Sequence, residues 1–407
     1  MATRIVIAGA GPAGITVAET LRRRAPGIEV VMLSAEPYPP YSPPAMADHF
    51  LTGRDDALYW KGRDVCARLD LDFHGRCRIE SLDSQARRLR LAGNETLRYD
   101  HLVVATGAGL WAPVEGGDLP GVYNFKSLSA AEQLIAGVRA GKVRSALVVG
   151  AGFIGVEIAL LLQDLGVQVR LLEAEDRLIP AILEPETAAI ALRAVQDRGV
   201  EVLLNTRVAA FTGRRHAGGV RLESGEQLAA DCCIAATGVK PNIDWLAASE
   251  VDTRWGVVVD DFMHTTAPDV WAAGDVAEAR DLYSDRHYVH AIFPNAIAQA
   301  GVVASALLGE DLRYEGAESM NSLKHLGVEI IAAGDHESPD QLCLRRDGVL
   351  RKLFFDRGRI VGYSLVGDIR AAGVYRSLML KGTDVTPFRE RLLDPRPGAA
   401  WLGAVAA

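Results

Sequence analysis

Cysteine is scarce in this chain of 407 residues, which holds only five. Cys66, Cys77, Cys232, Cys233 and Cys343 form no CxxC pair and no metal-ligand spacing. A disulfide framework, a zinc site and an iron–sulfur centre within the chain are therefore not expected, and the odd number suits a reducing compartment. Long Lys/Arg blocks are also missing and the formal net charge is −8. That argues against nucleic acid or an anionic membrane as the main partner, although a local basic patch stays compatible with it. No apolar run is long and clean enough to cross a bilayer. The most apolar window, residues 146–165, is interrupted by glycines and by Glu157, and reads as a buried strand entering a helix. The N-terminus runs from Met1-Ala2-Thr3-Arg4 straight into Ile5-Val6-Ile7-Ala8 with no secretory pattern, so a cytoplasmic location is expected. What remains, with 49% hydrophobic and 24% charged residues, is an ordinary globular composition in a chain long enough for two or three cores.

Glycine is placed with a purpose. A β-rich run over residues 4–9 leads into Gly9-Ala10-Gly11-Pro12-Ala13-Gly14, and a helical pattern follows to about Arg24. In such a strand-loop-helix unit the first glycine makes the tight turn. The second lets backbone approach a pyrophosphate, the third lets helix pack on strand, and the helix N-terminus supplies N–H donors. A second apolar run, Val30 to Leu33, ends near Glu36, an acid placed to accept from a ribose hydroxyl. The same grammar recurs: strand Ala146 to Val149, loop Gly150-Ala151-Gly152-Phe153-Ile154-Gly155, a helix to Leu165, then strand Val167 to Leu172 ending at Glu173. One such loop is a weak signal, but two of them, each followed by an acid, point to two dinucleotides and a hydride relay between them. Glu173 favours NADH over NADPH, because a carboxylate accepts from a free 2′-hydroxyl and repels a 2′-phosphate; Arg170 and Arg177 lie nearby and moderate that preference. Two parallel segments, Asp100 to Gly107 and Asp231 to Gly238, each run from a polar lead-in through a strand to a Thr-Gly turn. A third, Thr266 to Asp275, ends in Ala273-Gly274-Asp275, and a helix is expected from about Pro294 to Leu308.

These residues resemble the two-dinucleotide flavoproteins that include rubredoxin reductases, ferredoxin reductase components, the flavin half of NADH nitrite reductases, NADH oxidases and the pyridine nucleotide-disulfide reductases. The resemblance covers nearly the whole chain. It implies an α/β fold with two Rossmann-like domains, for FAD and for NAD, plus a C-terminal α+β interface domain. The expected boundaries are 1–112 with 241–316 for FAD, 113–240 for NAD(H) and 317–407 for the interface or dimerisation domain. On the FAD side it implies cofactor contacts from Gly9, Gly11, Pro12, Ala13, Gly14, Glu36, Ala105, Thr106, Gly107, Gly274 and Asp275. On the NAD(H) side it implies Gly150, Gly152, Phe153, Ile154, Gly155, Glu173 and Gly238, with Glu157 as the catalytic residue approaching the nicotinamide. No metal is implied.

Departures from the pattern narrow the subfamily. Disulfide reductases carry a redox cysteine where this chain reads Pro40 to Asp48, and their catalytic histidine would have to come from the C-terminal domain, yet no histidine follows His336. Ferredoxin reductase relatives place Arg and Lys where this chain has Pro43 and Asp48. The C-terminal stretch Asn321-Ser322-Leu323-Lys324, then Leu353 to Phe355, Ile360 to Tyr363 and a closing helix to Leu380, fits the rubredoxin and nitrite reductase branch. The resemblance thus implies an electron-transfer reductase moving electrons between NAD(H) and an iron–sulfur or other electron-carrier protein, as a homodimer or as a subunit of a hetero-oligomer. Two other readings are an NADH oxidase using oxygen or quinone, and a redox-sensing binding protein with little turnover.

Overall fold

The computed structural model describes residues 3–284, 286–323 and 325–394; Lys324 and the end of the expected interface domain lie outside the described residues. The elements that carry the sites are, in chain order, β1 (Arg4–Ala8), α1 (Pro12–Arg24), β2 (Glu29–Leu33), β3 (His101–Val104), α2 (Leu128–Arg139), β4 (Ser145–Val149), α3 (Phe153–Asp164), β5 (Gln168–Leu172), α4 (Pro185–Asp197), β6 (Cys232–Ala235), β7 (Val270–Ala272) and α5 (Phe293–Leu307).

The described residues divide into two compact units. One takes the chain up to Trp111, Lys126–Glu132 and Val239–Glu318, and the other takes Ala112–Phe125, Gln133–Gly238 and the chain from Ser319 onward. In the first unit a parallel sheet runs in the order β7, β3, β1, β2 and Asp72–His74. β1 pairs with β2 from Arg4↔Glu29 to Ala8↔Leu33, and with β3 from Ile5↔His101 to Ala8↔Val104. Ile5, Val6, Ile7 and Ala8 are buried on both faces, as a central parallel strand requires. Pro12 opens α1, where its missing N–H costs nothing, and Arg22, Arg23 and Arg24 fill the last turn, where positive charge meets the negative end of the helix dipole. Arg22 also donates to the carbonyls of Leu69, Pro26, Ile28 and Asp70, which fixes the exit from α1.

The second unit repeats this winding, with parallel strands in the order Glu201–Leu203, β5, β4, β6 and Val122–Tyr123. In α3, Val156, Ile158 and Ala159 to Leu162 are each at most 1% exposed. The apolar window of the sequence is thus a buried strand, β4, entering a buried helix, and no described helix is long and apolar enough to cross a membrane. The segment Lys126–Glu132 groups with the first unit although it lies inside the expected 113–240 stretch. Long-range bonds from Tyr38, Glu36, Tyr41 and Asp275 hold it there.

Beyond Ser319 the chain forms an antiparallel sheet in the order Met320–Leu323, Ile330–Gly334, Arg359–Val366, Val349–Asp356 and Gln341–Arg346. The helix Ala372–Leu380 packs on it through Tyr375, Leu378 and Met379. Lys352, 7% exposed, reaches Glu184 at 3.1 Å and Glu186 at 2.6 Å, at the start of α4, and Arg345 pairs with Glu186 at 2.5 Å. Burial would raise the pKa of Glu184, but hydrogen bonds from Thr187, the Glu186 N–H and Lys352 outweigh it and hold the group below its ordinary value. Arg345, helped by Lys352, holds Glu186 down to about 2. Both carboxylates are depressed in the folded state. They therefore add stability above the unfolded value of 4.5, and lose that contribution as pH falls from there toward 2. Lys352→Met is expected to cost about 3 kcal/mol in urea unfolding, because it strands buried Glu184, and to blunt the acid dependence. An unchanged midpoint would show that the pair adds nothing.

Candidate functional site

The two glycine loops are built alike to within a few tenths of an ångström. Gly9 has φ 122° and Gly150 has φ 99°, and a Cβ on either would lie 2.0 Å from the Ala105 carbonyl oxygen or 2.5 Å from that of Ala236. The first glycine is thus pressed against the turn that ends the neighbouring strand, and at positive φ only glycine fits without strain. A Cβ on Gly14 would meet the Gly9 carbonyl at 2.0 Å, and one on Gly155 would meet that of Gly150 at 1.9 Å, so helix and strand close on each other at these points. Around Gly11 and Gly152, in contrast, a Cβ would meet nothing within 4 Å. Each of these two glycines caps its helix with extended backbone and no side-chain bond. The first-turn N–H groups thus keep their donors for an anion, which is the cradle a pyrophosphate needs.

β-sheet register decides which residue stands beside each cradle. The Gly9 N–H donates to Leu33 and the Gly150 N–H donates to Leu172, both at 2.8 Å. Ser34 is therefore the equivalent of Glu173, and Glu36 lies two residues farther on. Glu173 is 8% exposed, and its carboxylate accepts from the Ala151 N–H at 2.7 Å and the Glu175 N–H at 3.0 Å. Arg170 turns away to the Ala229 carbonyl, and Arg177 pairs with Asp176 and donates to the Leu183 and Pro180 carbonyls. Neither arginine is bonded to Glu173. The loop after Glu173 carries Ile179 at φ 51° and 2% exposure, a backbone conformation that costs a branched residue about 1–3 kcal/mol.

Glu36 has a different set of partners. One oxygen accepts from Tyr41 Oη at 2.6 Å and the other from the Ser129 N–H at 2.9 Å, while Tyr41 Oη accepts from the Leu128 N–H at 3.0 Å. Glu36 and Tyr41 together cap the start of α2 across 93 and 87 residues of chain. Burial, then the Glu36 charge, pushes the Tyr41 phenol well above its ordinary range. Just before α2, Lys126 Nζ lies 2.5 Å from Asp275 Oδ2, with both side chains about four-fifths buried. The sequence did not single out Lys126 or Ser34, and marked Tyr41 only as part of the Pro40-Tyr41 segment; the one sequence signal for Lys126 is a cation just ahead of a helix.

The remaining expected residues gather around these loops. Gly274, at φ 81°, donates its N–H to Gln299 Oε1 at 2.7 Å, and a Cβ there would touch Ala13 at 3.1 Å. The Gly274-Asp275 turn therefore sits on the first turn of α1. Thr106 donates through Oγ1 to the Asn242 carbonyl at 3.0 Å, Asn242 Nδ2 returns a bond to the Thr106 carbonyl at 2.8 Å, and Gly107 accepts from the Asn242 N–H. Gly238 takes φ 134° at the matching turn of the second unit. At the start of α3, Phe153 is half-buried, Ile154 is 42% exposed, and Glu157 is half-buried one turn on from both. Pro43 opens a short 3₁₀ turn, and Asp48 lies in the first turn of the helix Met46–Thr52.

The pyridine nucleotide-disulphide oxidoreductase family profile matches residues 3–300. The chain belongs to that family. Among curated relatives, it is 30% identical over 97% of both chains to a probable ferredoxin reductase, CtmF, of Castellaniella defragrans. It is 28% identical to the epsilon subunit of an NADH-dependent phenylglyoxylate dehydrogenase of Aromatoleum evansii, over 96% of this chain and 94% of that one. Among solved structures, a ferredoxin reductase for the CYP199A2 system from Rhodopseudomonas palustris superposes with a TM-score of 0.86 at 25% identity, covering 96% of this chain and 97% of that one. This oxidoreductase is FAD- and NAD(H)-dependent.

Burial raises each of the five thiols above its ordinary range. Cys232 and Cys233 point to opposite faces of β6 and both are buried; burial pushes them to about 12 and about 11, and pushes half-buried Cys66 to about 11. Cys77 and Cys343 are also raised by burial. A thiolate, not a thiol, is the nucleophile. Iodoacetamide at pH 8 is therefore expected to leave NADH oxidation unchanged over an hour while the flavin stays bound. Rapid inactivation with one equivalent of label would point instead to an unrecognised reactive cysteine. Among the described residues no group of His, Cys, Asp and Glu could hold a metal ion.

Proposed function

We propose that this oxidoreductase takes hydride from NADH at the second glycine loop and passes electrons singly from FAD, held at the first loop, to an iron–sulfur or similar electron-carrier protein. The observation that carries the reading is the pair of matching cradles, one of them flanked by a carboxylate that two backbone N–H groups fix in place. Gly9, Gly11, Ala13 and Gly14 hold the FAD pyrophosphate, with Pro12 shaping the turn and Ser34 beside the ribose. Ala105, Thr106, Gly107 and Gly274 wall the site, and Lys126 orients Asp275 toward the ribityl chain. Glu36 caps α2 and keeps lone pairs with which to accept from the adenosine ribose. Gly150, Gly152, Phe153, Ile154 and Gly155 receive the exchangeable dinucleotide, Glu173 accepts from its adenosine ribose, Gly238 closes the turn, and Glu157 faces the nicotinamide end. The bound flavin supplies the change from a two-electron to a one-electron carrier. The residues around it need only orient it and keep water out, which explains why Pro43 and Asp48 can replace a cation without removing the activity.

The absence of a thiolate favours an external acceptor. A ferredoxin reductase and a dehydrogenase subunit among the relatives support a protein acceptor, in which case flow from reduced clusters to NAD+ is equally open. Anaerobic stopped-flow absorbance tests it: NADH should bleach the flavin, and a reduced-to-oxidised return should need an iron–sulfur protein rather than air. Fast return in air alone would make the protein an NADH oxidase. Failure of NADH to bleach bound flavin would sink the reading.

A further inference from the structure

We infer that Ile179 is a positioning residue for the nicotinamide dinucleotide, acting through the peptide groups of Ala151; this rests on the reading of the second glycine loop as the NAD(H) site. Ala151 is fully buried and one loop bonds it from both sides. Its N–H donates to Glu173 Oε2 at 2.7 Å, and its carbonyl accepts from the Ile179 N–H at 3.0 Å. The left-handed backbone of Ile179 is unusual for a branched side chain, so its surroundings must over-determine it. They do so through hydrogen bonds. The Ile179 carbonyl accepts from the N–H groups of Ile182 and Leu183 at 3.0 and 2.9 Å, and Arg177 Nε donates to the Leu183 carbonyl at 3.3 Å. One residue later Glu184 caps α4 by accepting from the Glu186 and Thr187 N–H groups. The stretch from Glu173 to Glu184 is thus a closed brace between the end of β5 and the start of α4, and it grips the glycine loop at the peptide just ahead of open Gly152.

The first loop has no such brace. Ala10, which matches Ala151, is only half-buried, and no hydrogen bond ties its backbone to residues 34–45. The difference follows the use of each site. A dinucleotide that stays bound orders its loop once, whereas one that leaves at every turnover meets the loop empty. Affinity then falls by the fraction of time the empty loop is out of shape. The buried Ile179 side chain, 2% exposed, together with these bonds holds the brace, against the backbone cost, in the shape that aims the α3 N-terminus at each incoming molecule.

Steady-state kinetics on the FAD-loaded full-length protein, with ferricyanide as acceptor, test the inference. Glycine at 179 relieves the backbone at φ 51° but removes the buried side chain that pins the loop and accepts many other conformations. Ile179→Gly should therefore raise KM for NADH about tenfold, with kcat within about twofold and FAD content unchanged. Ile179→Leu, which restores a buried apolar side chain of similar volume, should recover most of the KM. An unchanged KM in Ile179→Gly overturns the inference, as does a parallel loss of FAD, kcat and KM, because a general loosening of the fold moves all three. If NADH fails to reduce the wild-type protein while FAD is bound, it is the assignment of the site that fails.

Discussion

Gly155→Val protein should purify yellow and yet hardly respond to NADH. The added Cβ would fall 1.9 Å from the Gly150 carbonyl and 3.2 Å from the Ala236 Cβ, and the first of these is backbone that no rotamer change can clear. α3 must lift from β4, and with it the N–H groups that define the second cradle. A displacement near 1 Å at a site that works by positioning lowers rate by roughly 100-fold, so flavin reduction at a fixed low NADH concentration should fall at least that much. FAD content should hold, because the first cradle belongs to the other unit. Gly14→Val is the mirror control: the Gly9 carbonyl would lie 2.0 Å from its Cβ, and the protein should purify colourless. Normal reduction of Gly155→Val by NADH, or loss of flavin from it alone, would mean that the second loop is not the nicotinamide site.

Glu173→Ala should reverse the choice of coenzyme. A carboxylate fixed by two N–H groups can offer its remaining lone pairs to a ribose diol, and a hydrogen bond to a charged group is worth about 2 kcal/mol, or roughly 30-fold in kcat/KM. The same charge repels a 2′-phosphate, so its removal should improve NADPH while NADH worsens, and the ratio of the two kcat/KM values should shift by about 100-fold. Part of the NADH loss comes from freeing the buried Ala151 N–H. Glu173→Gln, which can still accept one bond there, should keep more NADH activity than Glu173→Ala. A ratio that does not move in either variant would place the adenosine ribose somewhere else.

The strand-loop-helix units were legible because each is contiguous. Strand, three glycines and helix lie within some twenty residues, and sterics at those glycines act locally whatever the rest of the chain does. The same holds for the missing thiol and for the buried helix around Glu157, which follow from residue type and period alone. The end of the strand before Glu173 was legible for that reason too, since it falls where the apolar run ends. Glu36 shows the limit of that rule. The apolar run before it stops at Leu33, but only the bond from Gly9 to the Leu33 carbonyl shows that Ser34 holds the position that Glu173 has in the second unit. Register in a parallel pair is set by hydrogen bonds between strands joined through a helix, not by distance along the chain.

Sequence alone determined that the chain winds twice into a dinucleotide fold, that the second winding ends in an acid, Glu173, and that no cysteine lies between Pro40 and Asp48. Tertiary structure decided which residues support those loops. Lys126 meets Asp275 across 149 residues, Tyr41 meets Leu128 across 87, and the backbone of Ile179 reaches back to Ala151. No periodicity encodes such contacts, because each depends on where two distant segments come to rest once the apolar strands between them have been buried.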